Sequence, residues 1–370
     1  MISSQPLRWL TGLPNLFSAE PWLKTKKPPL TGIPLMERTI MFNWNTIRQT
    51  VIRPRAASPR VCRLKKGSLI AAAETGEGLR VFSTEDDGRT WRDAGPGSFT
   101  PDLTCANPEF FELPDGQVLL AHRAIGKREN GFYTSIRVNI GDGKSFRPHS
   151  VVTEYTEADG GFRGVWEPCL GLLGGVLTCF YANDATSVTP RQNIEYMQWD
   201  GRRWGNRTIV CCGEEHDSRD GMPVWIPLTS GGYALVIEST HLRNGAGKHP
   251  FVIRLLRSAD GKKWSDPVDI YIPKTDCSKA GAPWIAELPD GRLVVSFQTD
   301  EDKAVKGDRT SVMKTMVSDP HRGSFSPAET VFDVPEDAGA LWTAVYTDGR
   351  ELFASAGTPD GAVLKRVSLT

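Results

Sequence analysis

Thr84-Glu85-Asp86-Asp87-Gly88-Arg89-Thr90-Trp91 is the stretch from which the fold is read. An Asp ahead of a Gly, closed by an aromatic residue, describes a tight turn. The carboxylate accepts backbone N–H groups, the glycine takes up the awkward dihedral, and the ring packs between layers. Ser258-Ala259-Asp260-Gly261-Lys262-Lys263-Trp264 is the same turn one residue shorter, and looser copies occupy 141–146, 200–204 and 318–325. The acids of these turns are expected to be structural.

Ahead of each turn lies a second recurring element, a polar or glycine turn followed by a dense apolar run. Lys66-Gly67-Ser68-Leu69-Ile70-Ala71-Ala72 and Asp115-Gly116-Gln117-Val118-Leu119-Leu120-Ala121 are two copies. Others begin at Gly174-Gly175, Gly231-Gly232, Asp290-Gly291 and Asp348-Gly349. Asp-Gly between two strand-like runs is a hairpin signal, because the turn needs positive φ. Successive copies stand about 50 to 60 residues apart, the length of one four-stranded propeller blade with its loops. The expected fold is all-β, a six-bladed β-propeller over residues 46–370, with 46–52 supplying an outer strand to the last blade. Such a strand closes the ring and hides a sheet edge.

The composition agrees. Among 370 residues, 36 glycines and 26 prolines suit many tight turns. Lys plus Arg equals Asp plus Glu at 44 each, so no net field favours nucleic acid or an anionic membrane as a partner. No apolar run approaches the roughly 20 residues of a membrane-spanning helix. Seven cysteines are too sparse for a disulfide scaffold, and the adjacent Cys211-Cys212 reads as buried strand rather than as a redox device. Residues 1–45 hold six prolines and show no sustained period, which predicts an irregular arm. Pro14 interrupts the one apolar run that resembles a secretory signal. The compartment stays open: cytoplasmic from this start, or secreted if translation begins elsewhere, with Met36 and Met41 just ahead of the repeats.

The Asp-Gly-aromatic turn resembles the Asp-box of the sialidase superfamily. Within it, several pieces resemble glycoside hydrolase family 93, the exo-α-1,5-L-arabinanases. They are Ser58-Pro59-Arg60-Val61, Ala106-Asn107-Pro108, Leu120-Ala121-His122-Arg123, Gly164-Val165-Trp166-Glu167-Pro168, Ser218-Arg219-Asp220-Gly221-Met222, Val236-Ile237-Glu238, Ala280-Gly281-Ala282-Pro283 and residues 294–302. The resemblance implies a retaining, exo-acting hydrolase of α-1,5-linked arabinan or a related arabinofuranoside, needing no metal or other cofactor. It implies a saccharide partner, and the chain is expected to be a monomer.

The implied catalytic carboxylates are Glu167 and Glu238. A retaining pair needs a nucleophile and an acid/base about 5 to 5.5 Å apart. Glu167, between Trp166 and Pro168, is read as the acid/base because poor hydrogen bonding raises a carboxyl pKa. Arg60, Asn107, Arg123, Trp166, Arg219, Asp220 and Tyr346 are the expected substrate-binding residues. For the arginines, salt bridges at blade ends are the competing reading, and for Trp166 and Tyr346 it is packing. The glycine-rich loop 159–164 is expected to border the cleft. Two alternatives remain: a sialidase, and a non-catalytic propeller that binds glycans or proteins.

Other signals fail. Gly213-Glu214-Glu215-His216-Asp217 lacks the spacing of a zinc helix, and Gly245-Ala246-Gly247-Lys248-His249 lacks the hydroxyl residue of a phosphate loop. No nucleophile elbow is present.

Overall fold

In a computed structural model, the described residues are 42–369 except 99, 159–160, 188–190, 242–250, 276, 308 and 320–322. Most of the proline-rich arm and the 245–249 stretch therefore lie outside them. Six four-stranded antiparallel sheets follow one another along the chain. Blade 1 holds β2 (Ala57–Arg63) to β5 (Arg92–Ser98), and blade 2 runs from β6 (Thr104–Glu112) through β7 (Val118–Arg128) and β8 (Gly131–Gly141) to β9 (Phe146–Glu157). Blades 3, 4 and 5 start at β10 (Val165–Leu173), β14 (Ser218–Pro227) and β18 (Ala280–Glu287). The sixth contains β22 (Leu341–Thr347), β23 (Glu351–Thr358), β24 (Gly361–Ser368) and, at its outer edge, β1 (Thr50–Arg53). The first strand of each blade packs on the first strand of the next, and β22 packs on β2, so the six form a closed ring around a central channel.

The two recurring turns account for this order. All six glycine-led hairpins join the innermost strand of a blade to its neighbour. The Asp turns join the third strand to the fourth. In blade 1, Asp86 accepts the Thr90 N–H at 2.8 Å and the Thr90 hydroxyl at 2.7 Å. Asp260 takes the Lys262 and Lys263 N–H groups at 2.8 and 2.9 Å. Trp91 and Trp264 each donate Nε1 to the carbonyl of the turn glycine at 3.2 Å. Because the carboxylate form accepts these bonds, Asp86 sits down at about 2 and Asp260 is also lowered.

Five such turns serve six blades because the last blade needs none. Its outer strand arrives from the other end of the chain, with Thr50 opposite Leu364 in β1 and β24. Trp44, nearly wholly buried, anchors the approach by donating Nε1 to Thr315 Oγ1 at 2.9 Å. The strands facing neighbouring blades are buried on both faces, which is why Leu69–Ala73, Leu119–Ala121 and Ala234–Ile237 read as unbroken apolar runs.

Candidate active site

A third repeat lies at the beginning of every innermost strand. A residue among the first five of the strand has positive φ there: Ser58 at 49°, Asn107 at 53°, Glu167 at 37°, Met222 at 51°, Ala282 at 48° and Trp342 at 54°. At each the register slips, as between Trp166 and Cys169 in blade 3 or Gly221 and Val224 in blade 4. These are β-bulges. In five of the six a proline follows: Pro59, Pro108, Pro168, Pro223 and Pro283. Proline lacks an N–H and crowds the preceding residue out of the right-handed helical region, so it fits an edge strand at a bulge. The Trp-Glu-Pro segment is thus one sixth of a ring. The X-Pro steps recur every 49 to 60 residues and were available as a signal, but their equivalence is not apparent without the register.

The bulge aims the Glu167 side chain toward the channel, where it shares a small pocket with Arg60, Asn107, Met222 and Trp284. The residue on the second strand opposite the position just before each bulge forms another ring. Its members are Glu74, Arg123, Ala182, Glu238, Gln298 and Gly357. Three of them accept the N–H of the bulge residue in the following blade: Glu74 from Asn107 at 2.8 Å, Glu238 from Ala282 at 2.8 Å and Gln298 from Trp342 at 2.7 Å. Arg123 occupies the same place in blade 2 and instead turns its cation to the Glu167 carboxylate at 3.6 Å.

Glu238 is closely fitted. A Cβ on Gly281 would stand 2.6 Å from its Oε2, and one on Gly221 would stand 3.1 Å from Oε1. Burial raises both carboxyls. For Glu167 the rise reaches about 7, opposed by Arg123 and Arg219 and reinforced by the Glu238 and Asp184 charges. Glu238 is also raised, with the Ala282 N–H, Arg219 and Lys279 pulling it back down. The Glu238 charge pushes Glu167 further up, and Arg219 pulls both carboxyls down.

The other expected residues divide. Arg123 and Arg219 act on the Glu167 and Glu238 carboxyls, and Arg60 and Asn107 are buried and line the same small pocket as Glu167. Arg60 donates to the Pro59 and Trp342 carbonyls at 2.9 and 2.8 Å and lies 4.2 Å over the Trp284 ring, and burial lowers it to about 10. Trp166 is 6% exposed and bonded through Nε1 to Asp184 at 2.9 Å.

Asp220 is corrected. It is fully buried and accepts from Ser218 at 3.0 Å, Ser239 at 2.6 Å and the Cys211 thiol at 3.1 Å. Strand alternation turns it away from the face that Gly221 and Glu238 share. Tyr346 is also not brought to the pair. It follows the β22 bulge by four residues, about 13 Å along the strand, and its hydroxyl donates to the Arg63 carbonyl at 3.3 Å. It lines a cavity of about 110 Å³ with Cys62 and Glu109, and this cavity shares Arg60 and Trp284 with the Glu167 pocket.

Sequence reading missed Glu74, Gln298, Asp184 and Glu109. Glu109 accepts the Leu170 N–H at 2.7 Å and is raised by burial to about 8. The Gly213–His216 segment forms a four-residue helix, with Asp217 paired to Arg191 at 2.6 Å.

Neither a protein-family model nor a curated protein matches the chain. Solved structures do. It is similar to an α-L-arabinanase from Penicillium chrysogenum complexed with arabinobiose, at 19% identity over 87% of this chain and 98% of that one, with a TM-score of 0.68. A family GH93 α-L-arabinofuranosidase of Fusarium graminearum, also with arabinobiose, matches at 19% identity over 85% and 93%, with a TM-score of 0.66. A protein of unknown function from Dyadobacter fermentans matches at 15% identity over 88% and 97%, with a TM-score of 0.63. At these identities the likeness establishes the six-bladed propeller fold.

Proposed function

We propose that the protein is a glycoside hydrolase acting on arabinan, that it releases short products from chain ends of α-1,5-linked arabinan or related arabinofuranosides, and that it retains anomeric configuration. The observation that carries the reading is the pairing of Glu167 and Glu238 from adjacent blades, both with raised pKa values and both under the field of Arg219. Glu238 is the nucleophile. It attacks the anomeric carbon while Glu167 passes its proton to the departing oxygen, which breaks the glycosidic bond and leaves a glycosyl ester. Water then attacks that ester, Glu167 takes the proton, and Glu238 is freed. Arg123 and Arg219 stabilise the ionised forms and orient the carboxyls. The solved propellers bound to arabinobiose support an arabinose-containing substrate.

The sialidase alternative asks for an arginine triad facing a substrate carboxylate. Here Arg123 is paired with Glu167, Arg219 acts on both glutamates, and Arg60 is spent on backbone carbonyls. Incubation with linear α-1,5-arabinan, followed by product sizing and NMR of the newly formed anomer, tests the reading. A short product of retained configuration is expected. Inverted product would overturn the nucleophile role of Glu238, and intact polymer would overturn the substrate.

A further inference from the structure

The Trp166 ring is enclosed. Phe162, four residues earlier, is 64% exposed. Its ring rests on Phe132 at 4.2 Å and on Trp166 at 5.2 Å, inclined by 33° and 30°. Trp166 in turn lies 5.3 Å from the Arg123 guanidinium, which pairs with Glu167. An unbroken series of contacts therefore runs from an open phenyl ring to the candidate acid/base.

The backbone around Phe162 is tied down on its C-terminal side. Arg163 donates to the buried Glu157 carboxylate at 2.5 Å, and the Gly164 N–H donates to Asp184 at 2.7 Å. Asp184 also holds Trp166 through Nε1, so one carboxylate fixes both the backbone beyond Phe162 and the ring beneath it. A large apolar ring left open to water, while backed by two other rings, forgoes burial that a core position would provide. It offers a flat apolar face that connects through Trp166 to Arg123, the partner of Glu167.

We propose that Phe162 is the platform of a sugar subsite next to the cleavage point, stacking on the C–H face of an arabinofuranosyl residue of the substrate chain. This rests on the hydrolase reading above. Trp166 sets the height of the platform, and Phe162 makes the contact.

The test uses Glu167→Gln as a silenced background and measures binding of α-1,5-arabinotriose by calorimetry, with and without Phe162→Ala and Phe162→Trp. Aromatic stacking of ordinary strength corresponds to roughly a five- to tenfold loss of affinity for Phe162→Ala. Recovery is expected for Phe162→Trp, with unchanged thermal midpoints in all three proteins. Equal affinity in the Ala variant, alongside hydrolysis of the same trisaccharide by wild type, overturns the platform and leaves the hydrolase standing. A fall in thermal midpoint without a loss of affinity assigns Phe162 to packing and also overturns the platform. No binding and no hydrolysis by wild type overturns both.

Discussion

Glu238 accepts the backbone N–H of Ala282 across the boundary between blades 4 and 5, at 2.8 Å. Glu74 with Asn107 and Gln298 with Trp342 make the same contact at two other boundaries, which marks it as a device for joining blades. One Glu238 oxygen thus has a structural task, and the charge of the group is available for another.

The two tasks are separable. Gln298 demonstrates that an amide oxygen serves the cap, so Glu238→Gln is expected to keep the wild-type thermal midpoint and lose activity. Glu238→Ala, Glu74→Ala and Gln298→Ala each strand a bulge N–H and are expected to cost about 1–3 kcal/mol. Of these three, only Glu238→Ala removes a reacting group. Chemical denaturation beside initial rates checks both halves, and inactivity of Glu74→Ala or Gln298→Ala in well-folded protein would contradict the division.

Gly281→Ala places a methyl group 2.6 Å from Glu238 Oε2. The obstructing atom is the end of a side chain, so the carboxylate can turn aside, but Oε2 is the oxygen that accepts the Ala282 N–H. Stability is expected to fall by about 1–3 kcal/mol, as for the other stranded caps, while kcat drops at least about a hundredfold, because positioning governs the reaction. Steady-state kinetics and a melt of the same preparation test this.

Two pH effects follow from Glu167. As the acid, it must hold its proton, so kcat/KM is expected to fall as pH rises through about 7, with the acidic limb set by Glu238. Stability moves the same way. A carboxyl raised from 4.5 to about 7 binds its proton more tightly folded than unfolded, so its contribution is complete below about 4.5 and lost as pH climbs through 7. Glu167→Gln cannot ionise and escapes that loss. Its stability relative to wild type should improve by about 2–3 kcal/mol between pH 5 and pH 8. Denaturant midpoints at the two pH values measure the shift, and a constant difference would place Glu167 in an unperturbed environment.

Much of this architecture was legible because it repeats. The Asp-Gly-aromatic turn and the glycine-led hairpin are local, governed by backbone dihedrals and short-range hydrogen bonds, so a sequence window contains their whole cause. Glu167 and Glu238 were singled out only through the resemblance carried by Gly164-Val165-Trp166-Glu167-Pro168 and Val236-Ile237-Glu238. Asp220 misled because its neighbours Arg219 and Gly221 belong to the site, whereas strand alternation sends Asp220 itself into a buried cluster with Ser218, Ser239 and Cys211. Tyr346 misled because sequence gives a strand but not which end of the channel a residue reaches. The interblade caps were invisible for a related reason: Glu74 and Asn107 are 33 residues apart and meet only once two blades are in register.

Sugar release from α-1,5-arabino-oligosaccharides by wild type, Glu167→Gln and Glu238→Gln, with folding verified for each, tests the two-carboxylate site most directly. Release by wild type and at least a thousandfold loss in both variants is the predicted result. Well-folded variants that both retain wild-type rates would contradict it, and the chemistry would then have to be sought elsewhere on the ring of bulges.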